Sequence, residues 1–230
     1  NRAGFTIHLT IHPVVGSVRE KSGRLQAVHD LSTGLGKLES MICFQIEKQL
    51  APKVLQSISS MVRAVLLDVT LANQDWQVMK HRVKNIAEGM AAETLPVEKE
   101  DLLEARAFLD WAVENHFTFL AYCEFDLLTR DGRQSLVIDG QSKLGLFRES
   151  GSAGHDPRSV VPVVSDSYTG FPCHLVVTKA NVRSTVHRPA YMDYIGIKRY
   201  DEKGEVTGLY CIVGLFTIAA YSSPPRDIPL

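Results

Sequence analysis

The sequence has no excess charge of one sign and no apolar run long enough to span a membrane. Its 230 residues include 25 Lys and Arg against 26 Asp and Glu, a net charge of −1 at pH 7. A charge near zero gives no indication of a nucleic-acid or anionic-membrane partner. The longest apolar stretch covers the 13 residues 209–221, whereas a spanning helix needs about 20. We therefore expect no nucleic-acid and no membrane partner, and we predict a buried strand for this stretch.

Cysteines are few and widely spaced. The four lie at positions 43, 123, 173 and 211, without a C-x-x-C pair or a dense framework. Small secreted domains concentrate their cysteines into disulfides, and zinc sites need closely spaced ligands. The spacing therefore predicts reduced, structural cysteines in a cytoplasmic protein.

Motifs of nucleotide-binding and hydrolytic enzymes are also absent. Gly34-Leu35-Gly36 begins like a dinucleotide-binding turn, but Glu39 occupies the position of its third glycine. There is no P-loop, no H-E-x-x-H and no G-x-S-x-G. His8 and His12 would lie about 13 Å apart on one strand face, too far to share a metal ion. The sequence predicts no catalytic, cofactor-binding or metal-ligating residue.

Strand patterns occupy both ends of the chain. In residues 5–12 apolar residues alternate with polar ones, which is the period of a half-buried strand. The alternation returns from Phe117 onward, and Asp201-Glu202-Lys203-Gly204 indicates a hairpin between two later strands. These patterns predict sheets before and after a central helical region.

Helical spacing separates the two strand regions. Apolar residues recur every three or four positions from Val54 to Met90 and predict an amphipathic helix with a buried stripe. We expect a break near residues 71–75, where Asn73 and Asp75 could cap a second helix. A further helical pattern ends near His116. Strands, helices and strands in blocks predict an α+β fold with mainly antiparallel sheets and long amphipathic helices.

The densest polar segment follows a predicted strand at residues 175–178. Lys179, Arg183 and Arg188 place three fixed positive charges within ten residues, with Asn, Ser and Thr between them and no acidic residue. Arginine pairs bidentately with carboxylates and phosphates. One hypothesis is a loop that binds an anion or the acidic surface of a partner, with His187 helping to position it.

The same segment has a simpler interpretation. It could be a solvated loop whose basic side chains form local salt bridges to Asp193 or Glu124. Isolated exposed pairs contribute little, so a docking role requires the charges to act as a cluster at an interface. Both interpretations stay open at the level of the sequence.

Several runs carry a resemblance to a known family. They read HFTFLAY at 116–122, TKANVRSTVHRP at 178–189, YIGIKRY at 194–200, LFTIAAY at 215–221 and SSPPRDIPL at 222–230. In this order they closely resemble the N-terminal half of the large, NAD-specific bacterial glutamate dehydrogenases. His12-Pro13-Val14-Val15 and the helix containing Asp75-Trp76 match the preceding region, so the resemblance covers nearly the whole chain.

The resemblance implies a parent enzyme that converts glutamate, NAD and water to 2-oxoglutarate, ammonia and NADH. In this family the hydride-transfer site and the dinucleotide-binding fold lie far C-terminal to the matching region. The resemblance therefore implies NAD in the full-length enzyme, no cofactor in this fragment, and no catalytic residue among those present.

The family's N-terminal half is built from ACT-like and PAS-like regulatory modules. The resemblance implies an incomplete ACT-like strand unit at 1–50, a helical connector at 51–96 and a PAS-like α+β domain at 97–230. It implies a noncatalytic regulatory and assembly segment of an enzyme of amino-acid catabolism. The expected partners are other domains of that enzyme, further copies in a homo-oligomer and a small-molecule effector.

A second class of function is a free-standing PAS-like sensor of a small molecule. The first residue, Asn1, and the proline-rich end at 222–230 favour an excised piece of a longer protein. A coding sequence that continued past Leu230 into a dehydrogenase domain would decide for the regulatory segment.

Overall fold

The computed structural model describes residues 4–92, 95–130, 133–148, 156–160 and 173–222. It confirms the predicted α+β class, with antiparallel sheets and one long helix. The chain divides into two compact units, residues 1–59 and 60–230. The predicted segment boundaries at residues 50 and 96 stay predictions, and the connector at 222–230 lies, apart from Ser222, outside the described residues.

The described part of the first unit, residues 4–59, contains five short strands in two antiparallel sheets. In chain order they are β1 (Ile7–Ile11), β2 (Val14–Arg19), β3 (Leu25–His29), β4 (Lys37–Ser40) and β5 (Cys43–Ile46). β1 pairs with β5, and β2 lies between β3 and β4. The predicted strand in residues 5–12 is thus confirmed.

The apolar face of β1 is not buried as its alternation predicted. Ile7, Leu9 and Ile11 are 41–49% exposed. A two-stranded sheet offers too little surface to cover the side chains of its own face. The period of the sequence therefore predicted the strand correctly and its burial wrongly.

Helix α1 runs without a break from Pro52 to Ala92, a span of 41 residues and about 60 Å at 1.5 Å per residue. The predicted helix is confirmed, but the predicted break near residues 71–75 is wrong. Asp75 does not cap a helix there. Its buried carboxylate accepts hydrogen bonds from the N–H of Gly145 and from the Arg148 guanidinium, so it ties α1 to the loop after β8 (Leu144–Gly145).

The two halves of α1 differ in burial. Met79, Val83 and Met90 of the second half are buried, whereas Met61 and Val65 of the first half are each 40% exposed. The predicted buried stripe is therefore confirmed from Ala72 onward, except at Trp76, which is 44% exposed. Burial follows packing against other elements, which a helical period by itself does not specify.

By length and composition, the part of α1 from Pro52 to Met90 is the one stretch of the described chain that could cross a membrane. It contains an 18-residue window of mean hydropathy 1.4, of which 11% is buried. Core helices of soluble proteins pass the same test. A single helix of this kind is weak support for a membrane segment, and the absence of a membrane partner stays a prediction.

The described residues of the second unit form a six-stranded antiparallel sheet. Besides β8, its strands are β6 (Phe117–Arg130), β7 (Arg133–Ile138), β9 (Leu175–Arg183), β10 (Tyr191–Tyr200) and β11 (Val206–Phe216). The order is β7-β6-β11-β10-β9, and β8 pairs with β6. Helix α2 (Lys99–Trp111) precedes the sheet, and α3 (Pro157–Val160) lies between β8 and β9. The predicted hairpin at 201–204 joins β10 to β11, and the buried strand predicted for 209–221 is confirmed up to Phe216.

Alternate residues of this sheet enter two separate apolar clusters. One cluster packs Val83 of α1 and Leu109 of α2 against Ile195 and Ile212 of the sheet. The other contains Phe125, Leu146, Leu215 and their neighbours. Because successive strand residues point to opposite faces, both faces of the sheet are covered.

Candidate functional site

The segment predicted to be a basic loop is partly a strand. β9 continues to Arg183, so Lys179 and Arg183 lie on β9, while His187 and Arg188 lie in the loop that leads to β10. The predicted end of the strand at residue 178 is wrong. Two of the four candidate residues are therefore held by a sheet rather than by a loop.

The extension of β9 has a physical reason in its alternation. Ala180 is buried and Val182 half-buried, whereas Lys179 and Arg183 are exposed. β10 pairs with this part of β9, with Asp193 opposite Lys179. β9 lies at one edge of the sheet, and charged side chains on edge strands discourage pairing with other chains.

Lys179 covers a buried carboxylate. Its ammonium lies 2.5 Å from Oδ1 of Asp193, whose side chain is 4% exposed. The other oxygen, Oδ2, accepts a hydrogen bond of 3.2 Å from the N–H of Phe216. Lys179 thus forms one of the local salt bridges that the alternative interpretation named.

The two arginines have different environments. The Arg188 guanidinium donates from Nη2 to the carbonyl oxygen of Phe216 at 2.7 Å, and its buried Nε has no hydrogen-bond partner within the described chain. The Arg183 guanidinium lies 4.7 Å from the centre of the Tyr191 ring, in a cation–π contact. Arg188 is therefore engaged with the backbone, and Arg183 rests on the surface of the sheet.

The loop between β9 and β10 is held at several points. The Thr185 hydroxyl donates to the Asp68 carboxylate of α1 at 2.7 Å, and the Ser184 N–H donates to the Ala190 carbonyl at 2.8 Å. His187 is exposed and has a φ of 65°. This conformation is uncommon for a residue other than glycine, so the loop has a defined shape.

The candidate residues line two different concave surfaces. Lys179 and Arg183 line an open cleft of about 530 Å³ together with Pro189 and Tyr191. His187 lines a different cavity of about 470 Å³, beside Trp76. The structure brings Lys179 and Arg183 together and places His187 in another environment.

A polar pocket, which sequence reasoning missed, lies between the second half of α1 and the sheet end that carries the β10–β11 hairpin. Its volume is about 400 Å³. The polar side chains that line it are those of Arg82, Asn85, Tyr122, Glu124, His174, Lys198, Arg199, Tyr200, Thr207 and Tyr210. These residues come from α1, β6, β10, β11 and the residue before β9. No short motif in the sequence could have indicated this combination.

Glu124 organises the charges of the polar pocket. The Tyr122 hydroxyl donates to Oε1 of Glu124 at 2.8 Å. The Arg82 guanidinium lies 3.8 Å from Oε1, and the Arg199 guanidinium lies 3.5 Å from Oε2. Burial, with the neighbouring Glu124 charge, raises the pKa of Tyr122 above its ordinary value of 10.0. The phenol is therefore protonated and fixed as a donor near neutral pH.

The structure also locates the cysteines and the groups that could ligate a metal. All four cysteines are free; Cys123 and Cys211 are buried opposite each other on β6 and β11, and Cys43 and Cys173 are exposed. Within the described part of the chain, no group of three or more His, Cys, Asp or Glu side chains could hold a metal ion.

Comparison with known proteins identifies relatives along the whole chain. Residues 1–62 match the family model "Glutamate dehydrogenase, ACT1 domain". The chain is 32% identical over 235 residues to an NAD-specific glutamate dehydrogenase of Halomonas elongata, and 32% identical over 234 residues to one of Pseudomonas aeruginosa. Both matches cover 100% of the chain and 14% of the relative's length. The predicted resemblance is confirmed: over its whole length, this chain is similar to a part of the NAD-specific glutamate dehydrogenases.

Proposed function

We propose that the chain is a noncatalytic regulatory and assembly segment of a larger NAD-specific glutamate dehydrogenase. The observation that carries the proposal is the match of the entire chain to two such enzymes. The larger enzyme would oxidise glutamate with NAD and water to 2-oxoglutarate, ammonia and NADH. Because the chain corresponds to 14% of the relatives' length, the catalytic and NAD-binding residues would lie in the remainder.

The organisation of the segment is part of the proposal. The family model over residues 1–62 supports an ACT-type unit at the start of the chain. The antiparallel sheet with α1 and α2 on one face is compatible with the PAS-like module proposed for residues 97–230. The enzyme would be a cytoplasmic homo-oligomer in which this segment contacts other domains.

Arg183 is the residue that best suits contact with another domain. Lys179 neutralises the buried Asp193, and Arg188 binds the Phe216 carbonyl, so both take part in holding the sheet and loop together. Arg183 is exposed at the open cleft and contacts the Tyr191 ring. An acidic side chain of another domain could pair with its guanidinium without breaking a buried contact.

The experiment replaces Arg183 with Glu in the full-length enzyme. We expect weaker assembly or altered regulation, with an unchanged KM for glutamate and an unchanged Kd for NAD. Arg106→Glu is a matched control, because Arg106 is an exposed arginine of α2 whose partner is the neighbouring Asp110. Equal assembly and equal regulation of the two variants would contradict the docking role of Arg183.

A catalytic role of the segment has its own test. Deleting the segment would abolish a regulated or assembled state but leave dehydrogenase chemistry in the remainder of the enzyme. A free-standing sensor, the second function considered, would instead occur in a polypeptide without dehydrogenase activity. Measuring glutamate-dependent NADH formation by the native polypeptide that contains this chain separates the two.

A further inference from the structure

The polar pocket contains a buried histidine whose ring nitrogens have no hydrogen-bond partner in the described part of the chain. His174 is 4% exposed, and neither ring nitrogen has a hydrogen-bond partner among the described residues. Burial, with a smaller effect of Lys198, lowers the pKa of His174 to about 4. The neutral imidazole has one N–H donor and one acceptor nitrogen. Buried polar groups nearly always have partners, so His174 indicates a ligand group that the described residues do not supply.

The charges of the polar pocket favour a negatively charged ligand. Arg82, Lys198 and Arg199 contribute three positive charges to the lining. Two carboxylates oppose them: Glu124 in the lining, and Asp126, which accepts a hydrogen bond of 3.1 Å from the Arg199 guanidinium. Arg82 lies 3.8 Å from Glu124, longer than a charge-assisted hydrogen bond of about 2.7–2.9 Å. The Arg82 guanidinium therefore retains donors that a ligand oxyanion could use.

The remaining walls favour a ligand with an apolar or planar body. Tyr122 and Tyr210 line the polar pocket, together with Ile86 and Met90 of α1. The Tyr200 ring stacks on the His174 ring, with centroids 5.7 Å apart and planes 22° apart. The volume of about 400 Å³ falls in the range of roughly 300–1,000 Å³ that is usual for small-molecule sites.

We propose that this pocket binds a small organic anion. Its carboxylate or phosphate oxygens would pair with the guanidinium groups of Arg82 and Arg199 and accept a hydrogen bond from the His174 ring N–H. The apolar or planar part of the molecule would lie against the tyrosines. The inference goes beyond the proposed function and rests on it in one respect, which is that occupancy would regulate the parent enzyme.

Calorimetric titration of the 230-residue chain tests the chemistry of the ligand. The probes are L-glutamate, 2-oxoglutarate and ribose 5-phosphate, with L-glutamine and ribose as neutral counterparts and sodium chloride to match ionic strength. We expect saturable 1:1 binding of at least one anion, at least about tenfold tighter than its neutral counterpart. The two anion types distinguish a carboxylate from a phosphate ligand. Absence of saturable anion binding up to about 10 mM would overturn the proposal.

Substitutions locate the binding. His174→Leu removes both ring nitrogens at similar size, and Arg82→Gln removes one guanidinium from a side chain that is 53% exposed. Each of these two substitutions should lower the affinity for the anion about tenfold or more. Arg106→Gln on α2 should leave the affinity unchanged. If His174→Leu does not fold, Arg82→Gln decides by itself. Unchanged affinity in the folded pocket variants would overturn the proposal.

The outcome is separable from that of the proposed function. Binding is measured on the chain alone, and regulation is measured as a change in activity of the full-length enzyme when the same anion is added. Binding without a change in activity would support the anion site and contradict its regulatory role. Absence of binding would refute the proposed anion site and would leave the similarity to the dehydrogenases unaffected.

Discussion

Residues 4–59 and residues 60–222 both form antiparallel sheets from strands of alternating apolar and polar residues, yet they differ in what covers the apolar face. Ile195 and Ile212 of the second region are completely buried beneath α1 and α2, whereas Leu9 of the first region is 49% exposed. Every fully buried apolar side chain among the described residues lies at position 71 or later.

The difference shows that a period of two specifies a strand and its two faces, but not the layer that buries one of them. In the second region the helices that provide this layer are part of the same unit. In the first region two small sheets leave their apolar side chains exposed. Burial supplies most of the stabilising free energy of a domain, so we expect the second region to be the more stable.

The largest expected effect comes from matched leucine truncations. Leu109→Ala in the second region should lower the free energy of unfolding by about 2–5 kcal/mol, because it leaves a cavity among fully buried side chains. Leu9→Ala should change it by less than about 1 kcal/mol. Urea unfolding measures both, with the fluorescence of Trp76 and Trp111 reporting the second region and far-ultraviolet circular dichroism reporting the strands of both regions. Equal effects would contradict the difference in burial between the two regions.

Two carboxylate–guanidinium pairs provide the next comparison. Asp75 pairs with Arg148 and also accepts the Gly145 N–H, and its side chain is 5% exposed. Asp75→Ala should lower the free energy of unfolding by about 2–4 kcal/mol, because it leaves a guanidinium and an N–H without their acceptor.

The matching pair of the first region joins Arg19 to Glu39 through two hydrogen bonds of 2.8 and 2.7 Å. Both side chains are accessible to solvent, which screens the interaction. Glu39→Ala should therefore have a smaller effect than Asp75→Ala in the same urea experiment. A larger effect of Glu39→Ala would show that burial does not rank these pairs.

The pH dependence of stability should distinguish the second region through His174. Its pKa is about 4 in the folded chain, against 6.5 as the ordinary value, so the unfolded chain binds the proton more tightly. The contribution of the neutral ring to the free energy of unfolding is therefore complete above pH 6.5. It is lost as the pH falls from 6.5 towards 4, because the unfolded chain then takes up a proton that the folded chain does not. His174→Leu should flatten this part of the stability profile, and an unaltered profile would contradict the assigned pKa.

The smallest effect on folding is expected for Arg183→Glu. The substitution removes a cation–π contact at an exposed site, which contributes about 0.5–1 kcal/mol. Arg188→Glu should destabilise the chain more, because Arg188 is half-buried and donates to the Phe216 carbonyl. Thermal unfolding of the two single variants ranks them. A reversed order would show that Arg183 rather than Arg188 is structural.

Sequence reasoning was sufficient for features that depend on local periodicity. The helical conformation of α1, the β10–β11 hairpin and the strand within residues 209–221 follow from spacing and turn residues alone, although the predicted break in α1 does not occur. The extension of β9 was missed because Lys179 and Arg183 were interpreted by charge. The alternation of Ala180 and Val182 with exposed polar neighbours carried the strand signal.

Features that depend on long-range contact were beyond the sequence. Asp75 was expected to cap a helix, but its partners, Gly145 and Arg148, are 70 and 73 positions away. The polar pocket likewise is lined by both Arg82 and His174, which the fold brings to the same pocket although they are far apart in the sequence. Such sites follow from the topology of the sheet and helices rather than from spacing along the chain.

The most direct test of the central claim, that this segment regulates rather than catalyses, is an assay of the 230-residue chain beside the full-length enzyme. Both are incubated with glutamate and NAD, and NADH is followed by its absorbance while NAD binding is measured by calorimetry. The account predicts NADH formation by the full-length enzyme and neither turnover nor micromolar NAD binding by the chain. Turnover above the blank, or micromolar NAD binding by the chain alone, would contradict it.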